Sequence, residues 1–192
     1  MEVLGTSRAA RPSRREWAWL AALLAAASLP APLMAQVAAL ETAIKATYLY
    51  KFVPFVEWPA SAFATATSPL YVCVLGDAPF SDMLESAIKG QQVAQRPVAV
   101  RRLEKVEGPQ GCHILYAANS AEQSAADALR LVRGAPVLTV TDRSRGVGGG
   151  VIQFVVKDGR VRFDIDQRQA AAQRVVISSK LLSLAVSARR RG

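Results

Sequence analysis

Three short, largely apolar runs constrain this chain more than any other feature. They are Leu70–Leu75, Cys112–Tyr116 and Pro136–Thr141, and the first and last are stopped by Gly76-Asp77 and Asp142. A strand with one wet face alternates apolar and polar residues. A run without that alternation must be covered on both sides, as in a parallel sheet between helices. The segments between the runs agree. Pro79 sits at the start of a helix expected over Phe80–Lys89, with Gly90 at its end. Val98–Leu103 alternates enough for a half-exposed strand. A second helix is expected over Ala121–Arg133, capped by Ser120 and followed by Gly134.

The flanks read differently. Glu41–Glu57 has Ile44, Tyr48, Phe52 and Phe55/Val56 at helical spacing, with Thr42 as a cap and Pro54 as a kink or end. We read this aromatic face as core. After Asp142, two alternating runs, Val151–Val156 and Arg160–Asp166, are joined by Lys157-Asp158-Gly159, a strong hairpin signal. A short helix over Gln167–Gln173, an extended Val175–Ile177 and a last helix capped by Ser178 or Ser179 and reaching about Ala188 complete the chain. The sum is a single three-layer α/β domain: a mixed, mostly parallel sheet, crossover helices and a C-terminal β-hairpin.

The N-terminus predicts export. Arg8, Arg11, Arg14 and Arg15 precede an apolar run from Trp17 to Leu29, too short for a spanning helix, and then Pro30–Ala35. We expect a signal peptide over 1–35, cleaved after Ala35 or, alternatively, Ala38; an uncleaved anchor is the other option. Residues 36–192 then form the domain, with its core at about 42–186, and work in the periplasm. Loss of the leader's four arginines and two acids lowers the net charge from +9 to +7. A basic periplasmic protein could meet anionic lipid, cell-wall polymer or an acidic partner, whereas nucleic acid is not expected there. The positive charges are scattered, and most read as solvated surface.

Cys73 and Cys112 are the only cysteines. In an oxidising compartment an isolated pair reads as one disulfide, the alternative being two buried strand thiols that never meet. Nothing points to a metal or a cofactor. His113 is the only histidine and follows Cys112 on a strand, where neighbours face opposite ways, so a catalytic Cys–His pair is not expected. Neither Gly-x-Ser-x-Gly nor His-Glu-x-x-His occurs. The chain reads as a non-enzyme. Gly146–Gly150 precedes a strand rather than a helix and reads as a flexible loop. It lies at the carboxyl end of a buried strand, so Arg143, Arg145 and Gly148 are candidates for ligand binding. Arg162, Asp164 and Asp166 share the outward face of the second hairpin strand. They read either as a salt-bridged surface or as a charged edge on which a partner docks.

Seven blocks in order carry a resemblance: Tyr48–Pro59, Val72–Phe80, Cys112–Tyr116, Val137–Asp142, Gly149–Phe154, Arg162–Asp166 and Ile177–Ala185. Together they resemble the YfiR family of periplasmic proteins. The resemblance implies a noncatalytic regulator that represses a membrane-bound signalling protein, expected to be an inner-membrane diguanylate cyclase bound through its periplasmic portion. It thereby implies a role in cyclic di-GMP and biofilm control. An outer-membrane lipoprotein that sequesters the repressor is a further expected partner, and a homodimer stays open. The family's cysteine pair falls on Cys73 and Cys112. The family's best-known member has a second disulfide, for which this chain has no cysteines. The alternative reading is a periplasmic small-ligand sensor module acting on another membrane sensor.

Overall fold

The computed structural model describes residues 31–189. The signal peptide expected over 1–35 therefore lies almost wholly outside the described residues, as does the end of the basic tail. Helix α1 (Ala31–Lys51) runs through both candidate cleavage points. Pro54 sits in a 3₁₀ turn, Val53–Phe55, which leads into β1 (Val56–Glu57). The chain continues through β2 (Leu70–Leu75), α2 (Ala78–Ile88), β3 (Gln92–Val93), β4 (Arg96–Leu103), β5 (Ile114–Ala117), α3 (Ala125–Leu131) and β6 (Leu138–Asp142). It ends with β7 (Ile152–Lys157), β8 (Arg160–Asp166), α4 (Gln167–Ala172), β9 (Val176–Ile177), α5 (Ser179–Leu184) and β10 (Ser187–Arg189).

Eight strands form one sheet in the order β10-β8-β7-β6-β5-β2-β4-β3, while β1 and β9 pair separately. From β4 through β7 every pairing is parallel; β7–β8 is the antiparallel hairpin, and β10 returns parallel to β8. The sheet is thus mixed and mostly parallel, within an α/β domain. Alternate residues feed two cores. Val72, Val74, Ile114 and Tyr116 join Leu49, Phe52 and Phe80 on one face. Cys73, Leu75, Leu115 and Ala117 join Ala125, Ala128 and Val132 on the other. Strands β2 and β5 are buried on both faces, as their unbroken apolar runs require.

Several boundaries differ from the sequence reading. Helix α3 starts at Ala125 with Ser124 as its cap, because Ser120 is spent earlier: its hydroxyl accepts the Glu122 and Gln123 N–H groups of a preceding turn. The last helix stops at Leu184 and gives way to the edge strand β10, which no hydrophobic pattern announced. Of the expected core face of α1 and the residues after it, Phe52 and Val56 are buried and Tyr48 packs against the core, whereas Ile44 is 38 % exposed and Lys45, Ala46 and Leu49 are buried in addition. Phe52 and the half-buried Tyr48 close an aromatic cluster with Phe154 and Phe163, with ring centroids 5.0–6.4 Å apart.

Cys73 and Cys112 form a disulfide, with their Cα atoms 5.7 Å apart. His113, next along, has a structural role. Its Nδ1 accepts the Tyr71 N–H at 3.1 Å, so the ring proton sits on Nε2 and is donated to the Ala62 carbonyl at 3.0 Å. Phe63 stacks on the ring at 4.4 Å. Burial pushes the His113 pKa down, against the Ala62 bond, and Arg96 and Arg101 push the same way as burial. A folded-state pKa below the unfolded value means that the unfolded chain takes up the proton first. This part of the stability is complete above about pH 6.5 and is lost as pH falls below it, at up to ~1.4 kcal/mol per pH unit. With one histidine in the chain, the window between pH 6.5 and 5 isolates this group. Urea midpoints across that window should fall for the wild-type protein and stay flatter for His113→Gln. Parallel slopes would remove His113 as the cause.

Candidate functional site

In this topology the switch point lies between β2 and β5, since the chain goes from β2 to β4 and then returns to the other side of β2. The backbones meet closely there. Gly76 has φ +72°, and a Cβ on it would stand 2.5 Å from the Asn119 carbonyl oxygen. A cavity of about 250 Å³ remains beside it, lined by Asp77, Ser81, Arg102 and Ser120 among others.

The densest polar cluster lies instead at the carboxyl end of β6. Asp142 is 2 % exposed and caps the 3₁₀ turn Arg143–Arg145: one carboxylate oxygen accepts the Ser144 N–H at 3.1 Å and the Ser144 hydroxyl at 2.6 Å. The other oxygen accepts Lys45 Nζ at 2.6 Å. Lys45 also donates to Ser144 Oγ at 2.8 Å and to Glu41, one helical turn away on α1. A lysine buried to 2 % exposure thus has three oxygen acceptors for its three N–H groups. Arg145 pairs with Asp77, which itself caps α2 through the Phe80 N–H at 3.0 Å, and its Nε lies 3.9 Å from Asp142. Burial pushes the Tyr116 phenol pKa well above its ordinary value, and Asp142 and Asp77 add to this.

The structure does not gather Arg143, Arg145 and Gly148 into one pocket. Arg145 turns to Asp77, whereas Arg143 reaches Asp164 on β8 at 3.0 Å. The glycine loop is also tied down rather than free. Gly150 N–H donates to Thr141 Oγ1 at 3.2 Å, Val151 N–H to Thr139 Oγ1 at 3.1 Å and Gly149 N–H to Gln153 Oε1 at 3.3 Å. Gly148 faces the same glutamine, since a Cβ on it would lie 3.3 Å from Gln153 Oε1.

The outward face of β8 likewise divides. Arg162 is exposed. Asp164 is engaged by Arg143 and by the Ser187 hydroxyl at 2.8 Å. Asp166 is not on an open face: it is 6 % exposed, and its carboxylate accepts the Arg168 and Gln169 N–H groups as the cap of α4. Strand β10 covers β8 from Asp164 to Asp166, so the open edge is Arg160–Arg162 alone. Sequence reasoning missed Lys45 and Asp142. The Glu41–Lys45 spacing of four residues was available as a signal, but nothing local ties Lys45 to a residue 97 positions on.

Among the described residues no cluster could hold a metal ion, and no helix is long and apolar enough to cross a membrane. The model of a family described as YfiR/HmsC-like matches residues 42–186. No curated protein matches the chain.

Proposed function

This chain belongs to the YfiR/HmsC-like family, and on that premise we propose that it is a noncatalytic periplasmic regulator of cyclic di-GMP signalling. It binds the periplasmic portion of an inner-membrane diguanylate cyclase and holds that enzyme inactive. The observation that carries this reading is the family match across 42–186, which takes in nearly the whole folded body. The physical mechanism is a population shift. A regulator that binds the inactive conformation about 1.4 kcal/mol better than the active one biases the equilibrium tenfold. An outer-membrane lipoprotein that removes the regulator from the cyclase, and self-association into a homodimer, belong to the same proposal.

The docking edge we assign is the open end of β8. Arg160 and Arg162 stand there beside backbone groups that no described strand pairs, and Asp164 follows. Asp166 is left out of the test because replacing a buried helix cap costs ~1–2 kcal/mol by itself. Arg162→Glu combined with Asp164→Asn should leave the circular dichroism spectrum intact and raise cellular cyclic di-GMP to the level of a gene deletion. Crosslinking of the tagged protein should at the same time lose its membrane partner. Unchanged cyclic di-GMP in a folded double variant would move docking elsewhere, and no rise on deletion would remove the cyclase.

A second reading, a periplasmic small-ligand sensor acting on another membrane sensor, is favoured by one specific observation. An open groove of about 690 Å³ lies between α3, α4 and β10.

A further inference from the structure

The geometry points to this groove as a binding site for a small organic polycarboxylate, an inference that rests on the sensor reading and names its ligand class. Three arginines from three separate elements line it: Arg133 just after α3, Arg168 on α4 and Arg189 on β10. None of their guanidinium groups makes an ion pair or hydrogen bond with any described side chain. Elsewhere Arg102, Arg130, Arg143 and Arg145 each meet a carboxylate, and Arg96, Arg101 and Arg174 donate to backbone carbonyls. Among the described residues, Arg160 and Arg162 line no cavity with a third cation and stand on the open end of β8. Gathering three unpaired like charges around one concavity raises its potential and is unfavourable unless an anion relieves it.

The acids nearest the groove supply only part of that relief, since one carboxylate lines it against three guanidinium groups. Asp166, which lines it, is committed to the Arg168 and Gln169 backbone N–H groups. Asp164, in the adjoining cavity, is committed to Arg143 and Ser187. Both carboxylates are therefore held at the β8 side by donors of their own. Leu129 and Ala172 give the groove an apolar wall. Gly149 forms the floor beside Leu129; its φ of +94° favours glycine.

The ligand class is set by these parts. A guanidinium fork matches a planar carboxylate with two parallel N–H···O bonds. Three forks carried by separate elements suit separate carboxylates better than one compact anion, and the apolar wall suits the carbon skeleton joining them. The groove's volume lies within the range of small-molecule sites.

The test is isothermal titration and thermal unfolding of the purified wild-type protein with citrate, succinate, acetate and inorganic phosphate at matched ionic strength. We expect citrate to bind and raise Tm, succinate to bind more weakly, and acetate and phosphate to do little. Arg133→Gln and Arg168→Gln should each weaken citrate by about tenfold or more, whereas Lys89→Gln, an exposed cation on α2's far end, should not. Equal shifts from all four anions, or equal losses in the Lys89 variant, would reduce the effect to general screening and overturn the site. Citrate binding undiminished in both arginine variants would also overturn it. If neutral compounds bind and no polycarboxylate does, the sensor reading survives while this assignment falls.

Discussion

Replacing Lys45 by methionine should destabilise the fold by about 3–5 kcal/mol, although methionine fills nearly the same space. The cost comes from what remains. Lys45 and Asp142 are each 2 % exposed and meet at 2.6 Å. Without the ammonium, Asp142 keeps Ser144 on one oxygen and only the Arg145 Nε, 3.9 Å away, near the other, and sits as a buried, partly paired charge. Asp142→Asn in the same background should return part of the loss, because a neutral amide tolerates the site better. A double-mutant cycle reads that coupling directly. A buried pair is weakly screened, so the Lys45→Met penalty should persist in high salt, unlike that of the exposed Arg102 pairs. The measurement is urea unfolding of the four proteins of the cycle. A single variant within about 1 kcal/mol of wild type would show that the pair is not the fastening between α1 and the end of β6 that its geometry makes it.

The contrast between what the sequence disclosed and what it hid comes from the range of the forces involved. Strand β2 occupies Leu70–Leu75, the run read from the sequence, because burial on both faces writes itself into every residue of a strand. The hairpin at Asp158-Gly159 was equally legible: both residues have positive φ, which only a few residue types accept readily. Strand β10 was not. Three residues, Ser187–Arg189, are a strand only because β8 lies alongside to pair with them, and no local pattern records a partner. Ile44 on α1 was misread for a related reason. It looked like core, but Asp142 at the end of β6 gives the neighbouring Lys45 a buried acceptor, and Ile44 is left 38 % exposed. Arg143 and Arg145 show the same limit at the site. Two residues apart on a loop, they read as one cationic group. A 3₁₀ turn advances each residue by a third of a rotation, and the two side chains part toward Asp164 and Asp77. Asp166 looked like the third tooth of a polar strand face, yet the helix that starts beside it needed a cap.

Cys73→Ser and Cys112→Ser should each lower stability by about 4 kcal/mol, and the double variant should match either single. The magnitude is set by the closed loop. A crosslink spanning 39 residues removes chain entropy from the unfolded state, worth about 4 kcal/mol at 25 °C in the loop-closure model. The position of the bond makes the loss local as well as global. Cys73 is fully buried in the core that also holds Leu75, Leu115 and Ala117, and the crosslink fixes the segment before β5 against β2. His113 is the next residue, and its bonds to Tyr71 and Ala62 depend on that register. Reduction should therefore loosen the His113 surroundings first, seen as faster amide exchange at Tyr71 before β2 itself opens. Non-additivity is the decisive readout: the second serine removes no further crosslink, so singles and double should unfold together. If the double variant instead loses about twice as much as either single, the two cysteines contribute as separate buried side chains, and the bond is not what holds β2 to the segment before β5.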